Sequence, residues 1–228
     1  MAAPKGEQEV STASARDEIL GRIRESLAHT EPLQRAPGPG LSASHPPRAT
    51  LVEEFRRALI AADGQVHRVK SFADAAPVLA QRMAAARARS VLSSDTPEIR
   101  ALLAAAGCAG VVTPQAGREE LLAAELGLTQ VQFAIAETGT LVLASPCEPH
   151  RLASLLPRVH VAVLHEQDIV SGLGEALERL ASDLLPVATF ITGPSRTGDI
   201  ELTLVVGVHG PQELHVILVA DGPAMPPC

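Results

Sequence analysis

Between Thr50 and Val219, short and almost uninterrupted apolar runs alternate with segments that open on helix-capping residues. Ser90-Val-Leu-Ser-Ser94, His160-Val-Ala-Val-Leu164 and Leu214-His-Val-Ile-Leu-Val219 are such runs. They lack the in–out alternation of a sheet with one wet face. Strands of this kind are buried on both sides, which requires a mostly parallel sheet covered by helices. Residues 50–228 therefore predict a single α/β domain with a mostly parallel sheet covered on both faces.

Punctuation sets the predicted elements. Thr50-Leu-Val-Glu53 is a capping box that opens a helix to about Ala62, with Gly64 as its stop. Ser71-Phe-Ala-Asp74 is a second box, opening a helix to about Ala88, and Thr96-Pro97 caps a third. Further helices are predicted at 118–125 (stopped by Gly127), 149–155 and 168–180. Strands are predicted at 65–70, 90–94, 110–113, 131–136, 141–144, 160–164, 188–192 and 214–219. Those at 131–136 and 141–144 form an inserted β-hairpin around Glu137-Thr-Gly-Thr140. Residues 199–206 leave strand and helix both open and lean to helix, because acids open the segment and Gly207 closes it.

Residues 1–49 differ in character. A polar tail leads to a helix over 15–29 with Ile19, Ile23 and Leu27 on one side. A Pro-rich linker follows, carrying Pro32, Pro37, Pro39, Pro46 and Pro47. So short a helix cannot bury its stripe alone. This N-terminal helical arm is expected to dock on the body, on a second copy as a homo-oligomer, or on a partner.

Composition excludes several functions. The formal net charge is −7, and the four Phe are the only Phe, Tyr or Trp residues. Nucleic-acid binding needs a basic stripe and usually stacking aromatics, so it is not expected. No apolar run approaches the length of a membrane span, and the N-terminus lacks a signal-peptide core, which predicts a cytoplasmic protein. Cys108, Cys147 and Cys228 are far apart, with no CxxC and no Cys/His cluster. Neither a metal site nor an iron–sulfur cluster is expected on this chain.

Three polar segments lie at strand C-terminal ends, where ligands sit in such folds: Ser93-Ser-Asp-Thr96, Glu137-Thr-Gly-Thr140 and Gly193-Pro-Ser-Arg-Thr197. Gly193-Pro-Ser-Arg-Thr197 combines a tight backbone with two hydroxyls and a guanidinium, a set suited to an oxyanion. The alternative is a β–α loop in which Ser195 or Thr197 caps the next helix. Glu137, with Thr138, Gly139 and Thr140, places a carboxylate between apolar strands, as nucleophile, as general base or as a solvated turn residue. Val208-His-Gly-Pro211 puts His209 in a turn close in sequence to the anion loop; His215 and His160 read as satisfied sheet histidines. Asp95-Thr96 ends a central strand and reads as a helix cap ahead of a ligand contact.

At these residues the chain resembles the lactate utilization protein C family, whose members consist largely of one LUD domain. The matching pieces are Ala136-Glu-Thr-Gly-Thr-Leu-Val-Leu143, Arg151–Pro157 with His160, Phe190–Thr197 with Asp199-Ile-Glu201, and Gly207-Val-His-Gly-Pro211 through Val219. Gly198 stands where members commonly have Ala. The resemblance implies a fold similar to the sugar-isomerase and coenzyme A-transferase superfamily, a Rossmann-like three-layer α/β/α sandwich. It also implies a role in oxidising L-lactate to pyruvate beside two iron–sulfur partners, the A and B components. The chain would then be a subunit of a lactate-oxidising complex, non-catalytic alone, that binds a small carboxylate at strand C-terminal ends. Two other readings stay open. One is a stand-alone acyl or coenzyme A transferase with Glu137 as nucleophile, since Glu137-Thr-Gly139 is similar to the Glu-x-Gly turn of coenzyme A transferases. The other is a regulatory module for an anionic metabolite.

Overall fold

The computed structural model describes residues 12–28, 46–113, 115–145, 151–182, 187–198, 204–206 and 210–221. The chain divides into two units, Met1–Leu41 and Ser42–Cys228. In the first, α1 (Thr12–Ala28) carries Ile19, Ile23 and Leu27 at helical spacing, and Arg22 pairs with Glu18 at 2.8 Å.

In the second unit the elements run α2 (Arg48–Ala61), β1 (Gln65–Val69), α3 (Ala75–Ala86), β2 (Val91–Ser93), α4 (Pro97–Ala105), β3 (Val111–Val112) and α5 (Arg118–Ala123). Then come β4 (Leu126–Gln130), β5 (Phe133–Ile135), β6 (Thr140–Ala144), β7 (Val159–His165), β8 (Ile169–Val170) and α6 (Leu173–Ser182). The last strands are β9 (Ala188–Ile191), β10 (Arg196–Gly198), β11 (Leu204–Val206) and β12 (Glu213–Val219).

The expected parallel sheet has the strand order β1-β12-β7-β4-β2-β3, and every neighbouring pair is parallel. One face packs Val161, Val163, Ile217 and Val219 against Leu79 of α3 and Ile99, Leu102 and Leu103 of α4. The other packs Leu164, Val216 and Leu218 against Phe55 and Leu59 of α2 and Ala134 and Leu141 of a second sheet. Each such buried Leu or Phe side chain contributes about 1.5–3 kcal/mol by leaving water. The expected hairpin, β5–β6, is the middle of this second sheet, ordered β8-β5-β6-β9. Its far face, with Phe133, Ile135 and Val142, is covered by Ala176 and Leu180 of α6.

Four expectations are corrected. α2 starts at Arg48, not Thr50: the Pro47 carbonyl accepts from Thr50 N and Leu51 N, so the Thr50–Glu53 box is not the cap. Gly127 is not a helix stop but lies inside β4, a central strand. It is glycine because the backbone of another segment crosses there; a Cβ would sit 1.8 Å from Ala153 O. Ile169 belongs to β8, paired parallel with β5, and α6 begins only at Leu173. Leu204–Val206 is strand β11, antiparallel to β10, so the β-branched residues of that segment outweighed its helix signals. Two capping expectations hold. Ser71 N and Oγ both donate to Asp74 Oδ2, at 3.0 and 2.8 Å, and Thr96 Oγ1 accepts from Ile99 N at 3.3 Å.

Candidate functional site

A cleft of about 430 Å³ opens beside the Gly193–Thr197 loop. Ser154, Leu155, His160, Thr189, Phe190, Ile191, Thr192, Gly193, Ser195, Gly210, Pro211 and Leu214 line it. His160 is the second residue of β7 and Leu214 the second of β12. The cleft therefore lies at the N-terminal edge of the parallel sheet. It meets a strand C-terminus only at β9, in the second sheet.

The loop is held from below. Gly193 has φ +79°, and a Cβ there would lie 2.1 Å from Ala62 O, at the C-terminal end of α2. That end carries the negative pole of the helix, which favours a cation beside it. Arg196 supplies one, pairing with Asp63, the left-handed residue just after the helix. Ser195 N donates to Pro211 O at 2.7 Å, tying the loop to the segment before β12. Two donors expected to face an anion are thus engaged within the protein. Pro194 joins the two cleft-lining residues, and Thr197 is the middle residue of β10, opposite Val205. Among the described residues no helix follows for Ser195 or Thr197 to cap; the loop leads into β10.

The Glu137–Thr140 turn reaches the same cleft through hydroxyls. Thr138 Oγ1 lies 2.6 Å from Thr140 Oγ1, which lies 2.7 Å from Thr192 Oγ1 on the cleft wall. Gly139 (φ +65°) sits tightly on α2, where a Cβ would be 2.3 Å from Leu59 N. Glu137 itself is exposed and is not a cleft residue. Its backbone N donates to Ser171 O, and its Oε2 lies 3.0 Å from where a Gly172 Cβ would stand. The carboxylate thus borders the N-terminal end of α6, where negative charge is favoured.

The histidines separate by face. His215, as expected, is satisfied: its Nδ1 meets His67 Nε2 at 3.2 Å and its Nε2 meets Glu213 at 3.3 Å. Burial lowers the pKa of both imidazoles, and each is neutral at pH 7. His160 points to the opposite face, with Nε2 2.8 Å from Thr129 Oγ1. It is fully buried, and burial pushes its pKa down to about 4. Its Nδ1 has no hydrogen-bond partner among the described residues. His209 lies outside the described residues.

The LUD domain family model matches residues 52–219, which include every described segment of this site. The chain belongs to the LUD domain family. Over 109 residues it is 38% identical to "Lactate utilization protein C" of Anoxybacillus flavithermus, covering 46% of this chain and 50% of that protein. The Bacillus subtilis protein of the same name is 38% identical over 46% of this chain and 48% of its own length. That of Deinococcus radiodurans is 40% identical over 46% and 51%. The chain thus spans about half the length of the curated relatives it matches. Among solved structures, a DUF162 family protein from Deinococcus radiodurans superposes with a TM-score of 0.60 at 28% identity. That match covers 76% of this chain and 99% of the other.

The C-terminal edge of the parallel sheet in this LUD domain, where a ligand was expected, is largely engaged in its own contacts. Arg68 forks onto Glu166 just beyond β7, and Arg48 donates to Ile169 O at 2.5 Å. Arg100 pairs with Asp95 at 2.7 Å, and Phe72 stacks on His165 at 6.2 Å. No group of three or more His, Cys, Asp or Glu among the described residues is placed to hold a metal ion. No described helix is long and apolar enough to cross a membrane. Sequence reasoning passed over Ser154, Thr192 and the cleft role of His160; the signal was that the Arg151–His160 and Phe190–Thr197 stretches carry parts of the family resemblance.

Proposed function

We propose that this chain is a component of an L-lactate utilization system, acting with iron–sulfur partner subunits, the A and B components, as L-lactate is oxidised to pyruvate. The relatives' names support this reading, and so does the dispersal of the three cysteines along the chain. Oxidation of lactate releases two electrons and two protons. With no clustered thiolates here, the electrons travel on the partners.

The chain's own part is to hold a small carboxylate at the Gly193–Thr197 loop, and Arg196 carries that assignment. It follows the cleft-lining Ser195, and its side chain is 37% exposed against 69% for the Asp63 side chain. Exposed pairs of this kind contribute about 0–1 kcal/mol, so a carboxylate able to accept two parallel N–H bonds can take Asp63's place. Arg196→Ala removes this cation without removing a helix cap. Lactate affinity measured by calorimetry should fall roughly ten- to a hundredfold while the circular dichroism spectrum stays unchanged. Unchanged affinity would reject the loop as the carboxylate site.

A further inference from the structure

Four strands stand at the edges of the two larger sheets, and among the described residues three of them are guarded. β1 carries Arg68. β3 and β8 are two residues long, and Arg48 donates to the Ile169 carbonyl of β8. β9, Ala188-Thr-Phe-Ile191, pairs with β6 alone and has neither a charge nor a proline, the usual guards of an open edge. Phe190 stands 42% exposed on it.

The register determines which backbone groups are open. Ser145 N donates to Val187 O at 3.0 Å, and Ala144 stands opposite Ala188. Bonded and non-bonded pairs alternate along an antiparallel ladder, so Val187, Thr189 and Ile191 spend their backbone groups on β6. Ala188 and Phe190 turn N–H and C=O outward. Val142, opposite Phe190, accordingly gives its carbonyl to Gln132 N at 3.1 Å, on the side of β6 away from β9.

The cleft runs along this open edge. Thr189, Phe190, Ile191 and Thr192 all line it. Successive side chains of a strand point to opposite faces, so a cleft touched by four residues in a row follows the strand's rim. Outward N–H and C=O groups at every second residue, about 6.6 Å apart, form the pattern that another extended polypeptide completes. Two copies meeting β9 to β9 would share an edge only about 13 Å long, far short of the roughly 1,200 Å² that a specific interface buries. A single segment lying in the cleft is covered by the strand edge and also by Leu155, Pro211 and Leu214, which line it from other elements. None of the described lining residues is charged, so a charge turned inward on that segment would lose water without gaining a partner.

We propose that β9 takes an extended segment of a partner protein as an added strand, with Ala188 and Phe190 supplying the backbone bonds and uncharged, apolar side chains at every second residue entering the cleft. This surface is independent of carboxylate binding at Arg196, because the backbone of β9 carries it.

A fluorescein-labelled peptide of alternating valine and threonine, with a lysine at each end, is the probe. Titrated against the full chain by fluorescence anisotropy, it should bind saturably, one peptide per chain. Backbone donors at alternate residues face opposite sides of a strand. Of two further peptides, N-methylated on the valines or on the threonines, one therefore presents no donor to β9 and should bind about tenfold more weakly than the other. Phe190→Pro removes an outward N–H and no bond to β6, at an edge position where proline is tolerated, and should also weaken binding about tenfold. If Phe190→Pro disturbs the circular dichroism spectrum, the methylated peptides test the same pairing from the other partner. Leu177→Glu alters an exposed leucine of α6 outside the cleft and should leave the titration unchanged. Absence of saturable binding, equal affinity of the three peptides, or full affinity in a folded Phe190→Pro chain would overturn the proposal. So would a parent chain that sediments as a dimer and becomes monomeric with Phe190→Pro, since a second copy would then occupy β9.

Discussion

At the scale of single residues, two side chains make opposed demands. Glu137 sits in the most chemically suggestive turn of the sequence, yet it faces solvent beside the start of α6. Glu137→Gln preserves its shape and should lower lactate oxidation by the assembled system only modestly, with no acyl adduct in the parent protein. Mass-spectrometric detection of such an adduct on Glu137 would make it a nucleophile instead. His160 looks like an ordinary sheet residue in sequence but stands buried in the cleft wall. Unfolded, it takes up a proton near pH 6.5; folded, only near pH 4. Its contribution to stability is therefore complete above about pH 6.5 and is lost as pH falls toward 4. Between pH 7.5 and 5 that loss amounts to about 2 kcal/mol. Urea denaturation at both values should show it, and His160→Gln should remove it, leaving the smaller slopes of His67, His165 and His215. Parallel parent and variant slopes would contradict this assignment. The polar types of the site were legible in the sequence. Their partners were not, because Asp63 meets Arg196 and Thr129 meets His160 only through tertiary contacts.

At the scale of elements, the parallel sheet was legible because central strands such as β7 and β12 are buried on both faces and cannot hide their apolar runs. Two of the misreadings, at Gly127 and Ile169, share one cause: a local signal was overruled by a contact remote in sequence. Gly127 has the composition of a helix stop, but the Ala153 carbonyl crossing it requires a residue with no side chain. Ile169 has helical spacing with its neighbours, but pairing beside Ala134 draws it into the second sheet. Gly127→Ala tests this. A methyl 1.8 Å from Ala153 O forces the strand or the crossing segment to shift, for a loss of about 1–3 kcal/mol or more in urea denaturation. A variant as stable as the parent would show that the crossing is loose. The cleft's position was not legible at all. It arises where β9 of one sheet meets the starts of β7 and β12 in the other, and no local pattern encodes that meeting.

At the scale of the whole molecule, the LUD domain combines a hydroxyl-lined apolar cleft with a neighbouring loop whose Arg196 pairs with Asp63, and the chain's three cysteines are dispersed along the sequence. The central proposal is that this domain serves an L-lactate utilization system. The direct measurement is growth of the organism after deletion of this gene, with no paralogue present, on L-lactate and on pyruvate as sole carbon sources. Lost growth on lactate, normal growth on pyruvate, and recovery when the gene is restored are the expected results. Growth on lactate equal to that of the parent would contradict the proposal.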